Sequence, residues 1–352
     1  GDSKNSPRSK NRSMERVTWS NWWYLSDGRW SLILKLFPIE TLKKIFCCSF
    51  LLVTLVINSQ NPNVRFKKLT IKEGLSQSTI NSVTQDQFGF MWFGTQDGLN
   101  RYDGAEVVHF KHQIKKKKTL SNSYILSAYE DSKGILWVGT QNGGVNFKLP
   151  LTDQFQRTEN QLLNEDLRVK KIIEDEKGFL WFASEEKGLI RYRYKDDSLA
   201  HFTKINGLSS NRITDLVIQK DSVLIIGTAD AGINTIKINN LNIQIPAYNN
   251  YLLNKSINDI FLYQDSLLYI ASNKGVNVVS KSHVINLSND IENKVVSAVF
   301  CESIDKIWVG TKGDGLYSLT KTKGDFLLRN YKNSAYDLSS ISSNIINQIF
   351  KD

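Results

Sequence analysis

The hydrophobic positions beyond residue 63 fall in short, β-branched runs broken by glycine and polar residues, and the runs recur. FMWFGTQDGLNRY (90–102), ILWVGTQNGGVNF (135–147) and FLWFASEEKGLIRY (179–192) are one pattern, with weaker copies in VLIIGTADAGINTI (223–236), LLYIASNKGVNVV (267–279) and KIWVGTKGDGLYSL (306–319). The hydroxyl residue after the small one falls at Thr95, Thr140, Ser184, Thr228, Ser272 and Thr311, at spacings of 45, 44, 44, 44 and 39 residues. A repeat of this period has to be recognised before any motif, because it decides the fold.

Each copy has a lead-in such as GLSQSTINSVTQD or TLSNSYILSAYED, with a Leu-Ser turn before a β-rich run. Then comes Asp86 to Gly89, Asp131 to Gly134 or Asp175 to Gly178, with Asp first and Gly fourth, as a type I turn joining two strands prefers. The run ending in Gly-Thr is apolar at consecutive positions and predicts a strand covered on both faces. A second turn, Gln96-Asp97-Gly98 in the first copy, leads to a third strand at 99–102. A polar fourth strand is predicted at 106–111, 154–158, 199–203 and 326–330. Four short strands per repeat, arranged radially, make an all-β β-propeller. Helical solenoids fail because the runs are too short and too often broken by Gly, and a β-helix fails because its coils are shorter. Trp92, Trp137, Trp181 and Trp308 share one repeat position with Ile225 and Tyr269, an interchange that suits packing between blades better than sugar stacking.

Residues 337–352 repeat the lead-in and first strand, with Asp352 aligned on Asp86, while 64–70 resemble a leftover fourth strand. The expectation is six complete repeats plus part of a seventh, a truncated seven-bladed ring at 61–352 belonging to a longer chain. Ahead of it, Lys43 and Lys44 precede the 13-residue uncharged run 45–57 and the polar exit Asn58-Ser59-Gln60. This is too short to span a bilayer as a helix and reads as a signal peptide at 43–60, with a buried core segment as the alternative. Residues 1–42 begin with Gly1, carry Trp19, Trp22, Trp23 and Trp30 without a steady period, and read as a non-native or poorly ordered leader, or as an amphipathic anchor at 30–39.

The formal charge of +10 points at first to nucleic acid. Residues 1–60 hold nine Lys or Arg against four Asp or Glu, leaving 36 against 31, so the mature part is only mildly basic and no nucleic-acid partner is expected. Of the three cysteines, Cys301 alone lies beyond the leader, so no internal disulfide can form there. Four scattered histidines offer little for a metal cluster, and GxxxxGK[ST], GxSxG and HExxH are all missing. No cofactor, metal or catalytic residue is expected.

The stretch FKKLTIKEGLSQSTINSVTQDQFGFMWFGTQDGLNRYDG (66–104) resembles the opening repeat of the two-component regulator propeller family, through GLS, the DxxG hairpin, WFGT and DGLNRYDG. The resemblance covers 64–352; the fourth and fifth repeats depart from it by lacking both the tryptophan and the DxxG turn. It implies the periplasmic sensor part of a membrane-anchored hybrid histidine kinase that detects a glycan or oligosaccharide and regulates carbohydrate-utilisation genes. It further implies a second propeller and a stalk domain in the full-length chain, and, for a dimeric sensor, a homodimer. The periplasmic placement agrees with an export signal.

In a propeller the second-to-third-strand turns and the blade-to-blade connections share one face. That face collects Gln96, Asp97, Gln141, Asn142, Glu185, Glu186, Asp230, Asn273, Lys274, Lys312 and Asp314, with Ser76, Gln77, Asn122 and Asn211 from the lead-ins. Amides and carboxylates converging there can hydrogen-bond sugar hydroxyls, although a turn demands the same residues on its own account. Lys115 and Lys116 begin a four-lysine run on the same face that can attract an acidic glycan. Three functions stay open: a ligand sensor, a protein-binding scaffold, and a propeller lyase, the last requiring a His, Tyr and carboxylate cluster in the central funnel.

Overall fold

The computed structural model describes residues 64–164, 166–322 and 325–351; the expected leader at 1–42 and signal peptide at 43–60 lie outside them. Six four-stranded antiparallel sheets follow one another, each in simple sequential order. Blade one is β1 (Ile80–Gln85), β2 (Met91–Thr95), β3 (Gly98–Tyr102) and β4 (Val107–Phe110). Blade two is β5 (Ile125–Glu130), β6 (Leu136–Thr140), β7 (Val145–Lys148) and β8 (Phe155–Arg157). Blade three is β9 (Val169–Glu174), β10 (Leu180–Ser184), β11 (Leu189–Arg193) and β12 (Ser198–Phe202). Blade four is β13 (Ile213–Gln219), β14 (Val223–Thr228), β15 (Ile233–Lys237) and β16 (Asn242–Gln244). Blade five is β17 (Ile257–Tyr263), β18 (Leu267–Ser272), β19 (Gly275–Ser280) and β20 (His283–Asn286). Blade six is β21 (Val296–Ser303), β22 (Lys306–Thr311), β23 (Leu316–Lys321) and β24 (Phe326–Tyr331).

The motif residues hold this arrangement by identifiable contacts. Asp86, Asp131 and Asp175 each use Oδ1 to accept the backbone N–H groups two and four residues on, which caps the hairpin turn. The same carboxylates use Oδ2 to accept the indole N–H of Trp92, Trp137 and Trp181 at 2.7, 2.8 and 2.9 Å. All three indoles are at most 1% exposed, so no ring face is free for a sugar. Turn and tryptophan are therefore one device, which explains why the fourth and fifth repeats lose both together. There the hairpins close on Lys220–Asp221 and Gln264–Asp265, all at positive φ, the two-residue primed turn that needs no carboxylate cap. In blade six, Glu302 takes over and accepts from Trp308 at 2.9 Å.

The glycine of the Gly-Thr pair marks the closest approach of neighbouring blades. A Cβ on Gly139 would stand 2.6 Å from Val169 Cβ, and one on Gly310 would stand 2.6 Å from Ile346 Cγ2. The threonine folds its hydroxyl onto the next turn, as Thr95 Oγ1 donates to Gly98 O at 2.8 Å and Thr311 Oγ1 to Gly315 O at 2.8 Å.

Beyond blade six, residues 345–350 line a seventh position without forming a sheet among the described residues. Ile346 N–H donates to Thr311 O at 2.9 Å on the blade-six side. On the blade-one side, Asn347 Nδ2 donates to Ile80 O at 2.8 Å, and Gln348 Oε1 accepts from Val83 N–H at 2.7 Å. Asn81 and Asn258 make the Asn347-type bond to Ile125 O and Val296 O, so the segment continues the inner lining in phase. Residues 64–70 pair into no sheet. Instead Phe66 N–H donates to Ser339 O at 2.9 Å, and its ring packs edge-on against Tyr331.

Candidate functional site

The sequential antiparallel order sends every first strand away from the face that carries its lead-in, so the second-to-third-strand turns return to that face. Hydrogen bonds stitch the two sets of loops together. Gln141 N–H donates to Tyr124 O at 2.9 Å in the connection entering its own blade, and Gly98 N–H donates to Ser123 O at 2.7 Å in the connection entering the next. Around the ring, Gly188 bonds Asn211, Gly232 bonds Lys255 and Gly275 bonds Lys294 in the same way. The strand register thus brings the sequence-predicted residues to one face.

Most of them are already engaged there. Asp97 pairs with Lys111 at 2.6 Å, Glu185 and Glu186 with Arg168 at 3.6 and 3.1 Å, Asp230 with Arg212 at 3.8 Å, and Asp314 with Lys294 at 3.5 Å. Asn142 accepts from Arg168 Nε, and Asn273 exchanges bonds with Asn258 and Ser256. Gln141 is held through its main chain by Asn122 and Tyr124. Among the lead-in residues, Ser76 bonds Asn100 and Thr95, Gln77 accepts from Thr79 N–H, and Asn211 accepts from Lys204 N–H. Gln96, Lys115, Lys116, Lys274 and Lys312 are exposed and enter no ion pair among the described residues. The connections also expose apolar tips, among them Ile114, Ile205, Tyr251 and Tyr336.

An axial cavity of about 600 Å³ opens on this face. Of the candidate residues only Glu185 and Lys312 line it; the rest surround it or lie on the outer loops. Its wall comes from the first strands, and it carries a cluster that motif reading missed. Lys171 Nζ lies 2.9 Å from Asp215 Oδ1, and Asp259 adjoins Asp215. Each carboxylate also bridges to the next blade, Asp215 accepting Ile260 N–H at 2.7 Å and Asp259 accepting Val299 N–H at 2.8 Å. Aligning the repeats would have exposed the cluster: Ser82, Ser127, Lys171, Asp215, Asp259, Ala298 and Gln348 hold the third position of the inner strand, where three charges in succession are out of keeping with their apolar flanks.

Burial and the neighbouring Asp215 charge push the Asp259 carboxyl up to about 8, against the pull of Lys171. Burial works against the charge of Lys171, but Asp215 and Asp259 outweigh it and hold the amine above its ordinary value. The native state therefore keeps a proton on Asp259 that the unfolded chain releases near about pH 4. Stability from this group is complete below that value and falls as pH rises towards 8. Asp259→Asn retains an acceptor for Val299, so its melting temperature should fall less between pH 5 and pH 8 than that of the parent; equal slopes would remove Asp259 as the titrating group.

The repeats have known counterparts. A family model described as two component regulator propeller matches residues 74–97 and 119–142. These are two-component regulator propeller repeats. Histidine kinase P4 of Formosa agariphila is 48% identical over 56 residues, which is 16% of this chain and 4% of that protein. Among solved structures, the extracellular domain of a hybrid two-component system of B. thetaiotaomicron superposes with a TM-score of 0.69 at 20% identity, over 82% of this chain and 39% of its own. The extracellular domain of a one-component system of the same organism gives 0.68 at 20% identity, over 82% and 37%. The chain thus spans less than two fifths of either solved protein, and at that identity the superpositions speak for the fold. The regulator-propeller markers acquire physical roles here: DxxG with Trp is the capped hairpin, Gly-Thr is the blade contact, and the Asn of DGLN anchors the lead-in, Asn100 Oδ1 accepting from Ser76 N–H at 2.9 Å.

Proposed function

We propose that this regulator propeller is the extracytoplasmic sensor module of a membrane-bound hybrid two-component histidine kinase, that it binds an oligosaccharide at its axial cavity, and that it thereby regulates carbohydrate-utilisation genes. The observation that carries the reading is the pairing of regulator-propeller repeats with an open, partly polar cavity of about 600 Å³ lined by amides, charges and the rings of Tyr124 and Tyr129. Polar groups that fix orientation beside aromatic faces that stack on pyranose rings are what a saccharide site requires.

A lyase would need a histidine in the funnel. His109 and His201 instead bond the carbonyls of Gly74 and Lys187, His112 bonds that of Leu120, and neither these nor His283 line the cavity. A scaffold reading draws on the exposed Ile114 and Ile205. Titration calorimetry of the chain against a panel of neutral and acidic oligosaccharides separates it from the sensor reading. Saturable binding of one class, weakened when Tyr124 at the cavity wall is replaced by alanine, is expected. Silence across the panel overturns the saccharide reading in favour of the scaffold.

A further inference from the structure

The balance of charge around the cavity carries more than the polarity of its wall. The charged side chains lining it are Lys170, Lys171, Glu185, Arg212, Asp215, Asp259 and Lys312. Its acids have partners: Glu185 shares Arg168 with Glu186, Asp215 is bonded to Lys171, and Asp259 is turned onto Val299 N–H and the same Lys171–Asp215 pair. Lys170 and Lys312 are exposed to the cavity and enter no ion pair among the described residues. Arg212 reaches Asp230 only at 3.8 Å, with 58% of its side chain exposed. Outside the cavity the accounting repeats itself. Asp97 and Asp314 are met by Lys111 and Lys294, Asp230 by Arg212 and Glu186 by the Arg168 it shares with Glu185, whereas Lys115, Lys116 and Lys274 are not met by any acid among the described residues. The cavity wall therefore carries four cations against three acids, with Lys170 and Lys312 unpaired among the described residues. The cations come from blade three (Lys170), blade six (Lys312) and the lead-in of blade four (Arg212, which shares its charge with Asp230), so they lie along the side of the cavity formed by blades three to six.

We propose that the axial cavity takes an anionic saccharide, one bearing carboxylate or sulfate groups, with Lys170 and Lys312 as its charge contacts and Arg212 as a third. The inference rests on the saccharide reading above and adds the ligand's charge to it. Low-dielectric walls around unpaired cations focus their field and favour an anion over a neutral sugar of the same size, and a salt-dependent affinity follows.

Titration calorimetry on the full chain tests this with a galacturonate tetrasaccharide, a chondroitin sulfate tetrasaccharide and the uncharged cellotetraose, each at low and at high salt. At least one anionic probe should bind, more tightly than cellotetraose and more weakly as salt rises; which of the two binds separates carboxylate from sulfate recognition. The double variant Lys170→Ala/Lys312→Ala, altered only at exposed positions, should weaken that binding by about tenfold. Lys170→Arg/Lys312→Arg should retain it. Equal, salt-independent binding of cellotetraose overturns the anionic inference and leaves the saccharide reading standing. Silence of all three probes overturns both, and anion binding indifferent to the double alanine change overturns the placement in the cavity.

Discussion

Trp137→Ala is expected to destabilise the ring by about 3–5 kcal/mol, read from urea unfolding. Trp137 is 0% exposed and packs against Phe147 at 5.2 Å and Tyr194 at 5.8 Å between ring centroids. Across the blade boundary it meets Phe182 at 6.1 Å, so its loss opens a cavity shared by two blades. A second cost comes from Asp131, whose Oδ2 loses the indole N–H at 2.8 Å while Oδ1 still caps the turn. Trp137→Phe separates the two contributions: it keeps most of the apolar volume but leaves Asp131 short of a donor, at a cost of about 1–3 kcal/mol. If phenylalanine were tolerated without loss, the paired role of aspartate and tryptophan would be wrong.

Lys171→Met should be the next most damaging change. Asp215 has 4% of its side chain exposed, and Lys171 is its cation, at 2.9 Å. Removing one partner of a buried pair leaves an uncompensated charge, and here that charge sits beside a second carboxyl, Asp259. Because 35% of the Lys171 side chain faces cavity water, the loss belongs at the low end of the range for such pairs, about 3 kcal/mol at neutral pH. The companion Lys171→Met/Asp215→Leu removes both charges and should recover much of that loss in the same urea experiment. A single variant as stable as the parent would show that the pair is worth little where it stands.

The parts of the molecule legible in advance were those that recur. A contact repeated in every blade leaves the same residues at the same spacing, which is why the strands, the DxxG hairpins and the Gly-Thr blade contacts could be placed from residue types alone. The fourth and fifth repeats were harder, since Lys220–Asp221 and Gln264–Asp265 close their hairpins by a different turn. The candidate site was legible only in its location. Asp97, Glu185, Asp230 and Asp314 were read as ligand donors from their place in the turns, and they do lie on one face. Their cations, Lys111, Arg168, Arg212 and Lys294, come from connections 14 to 20 residues away along the chain, and no spacing rule announces that pairing. The Lys171, Asp215 and Asp259 cluster draws one residue from each of three repeats, so it appears as a cluster only once the blades are side by side.

By itself the sequence determined the architecture: a ring of four-stranded blades whose period, turn chemistry and blade-contact residues are written into each repeat, because local hairpins and neighbour-to-neighbour packing need only local information. The tertiary structure alone decided the electrostatic character of the site. Which carboxylates remain available to a ligand, and which cations remain free, depends on how each connection folds back onto its own blade and, for Lys171 and Asp215, on how neighbouring blades pack. The turn acids are met by cations folded back from the connections of their own repeats, while the Lys171–Asp215 pair on the cavity wall forms only where blades three and four meet.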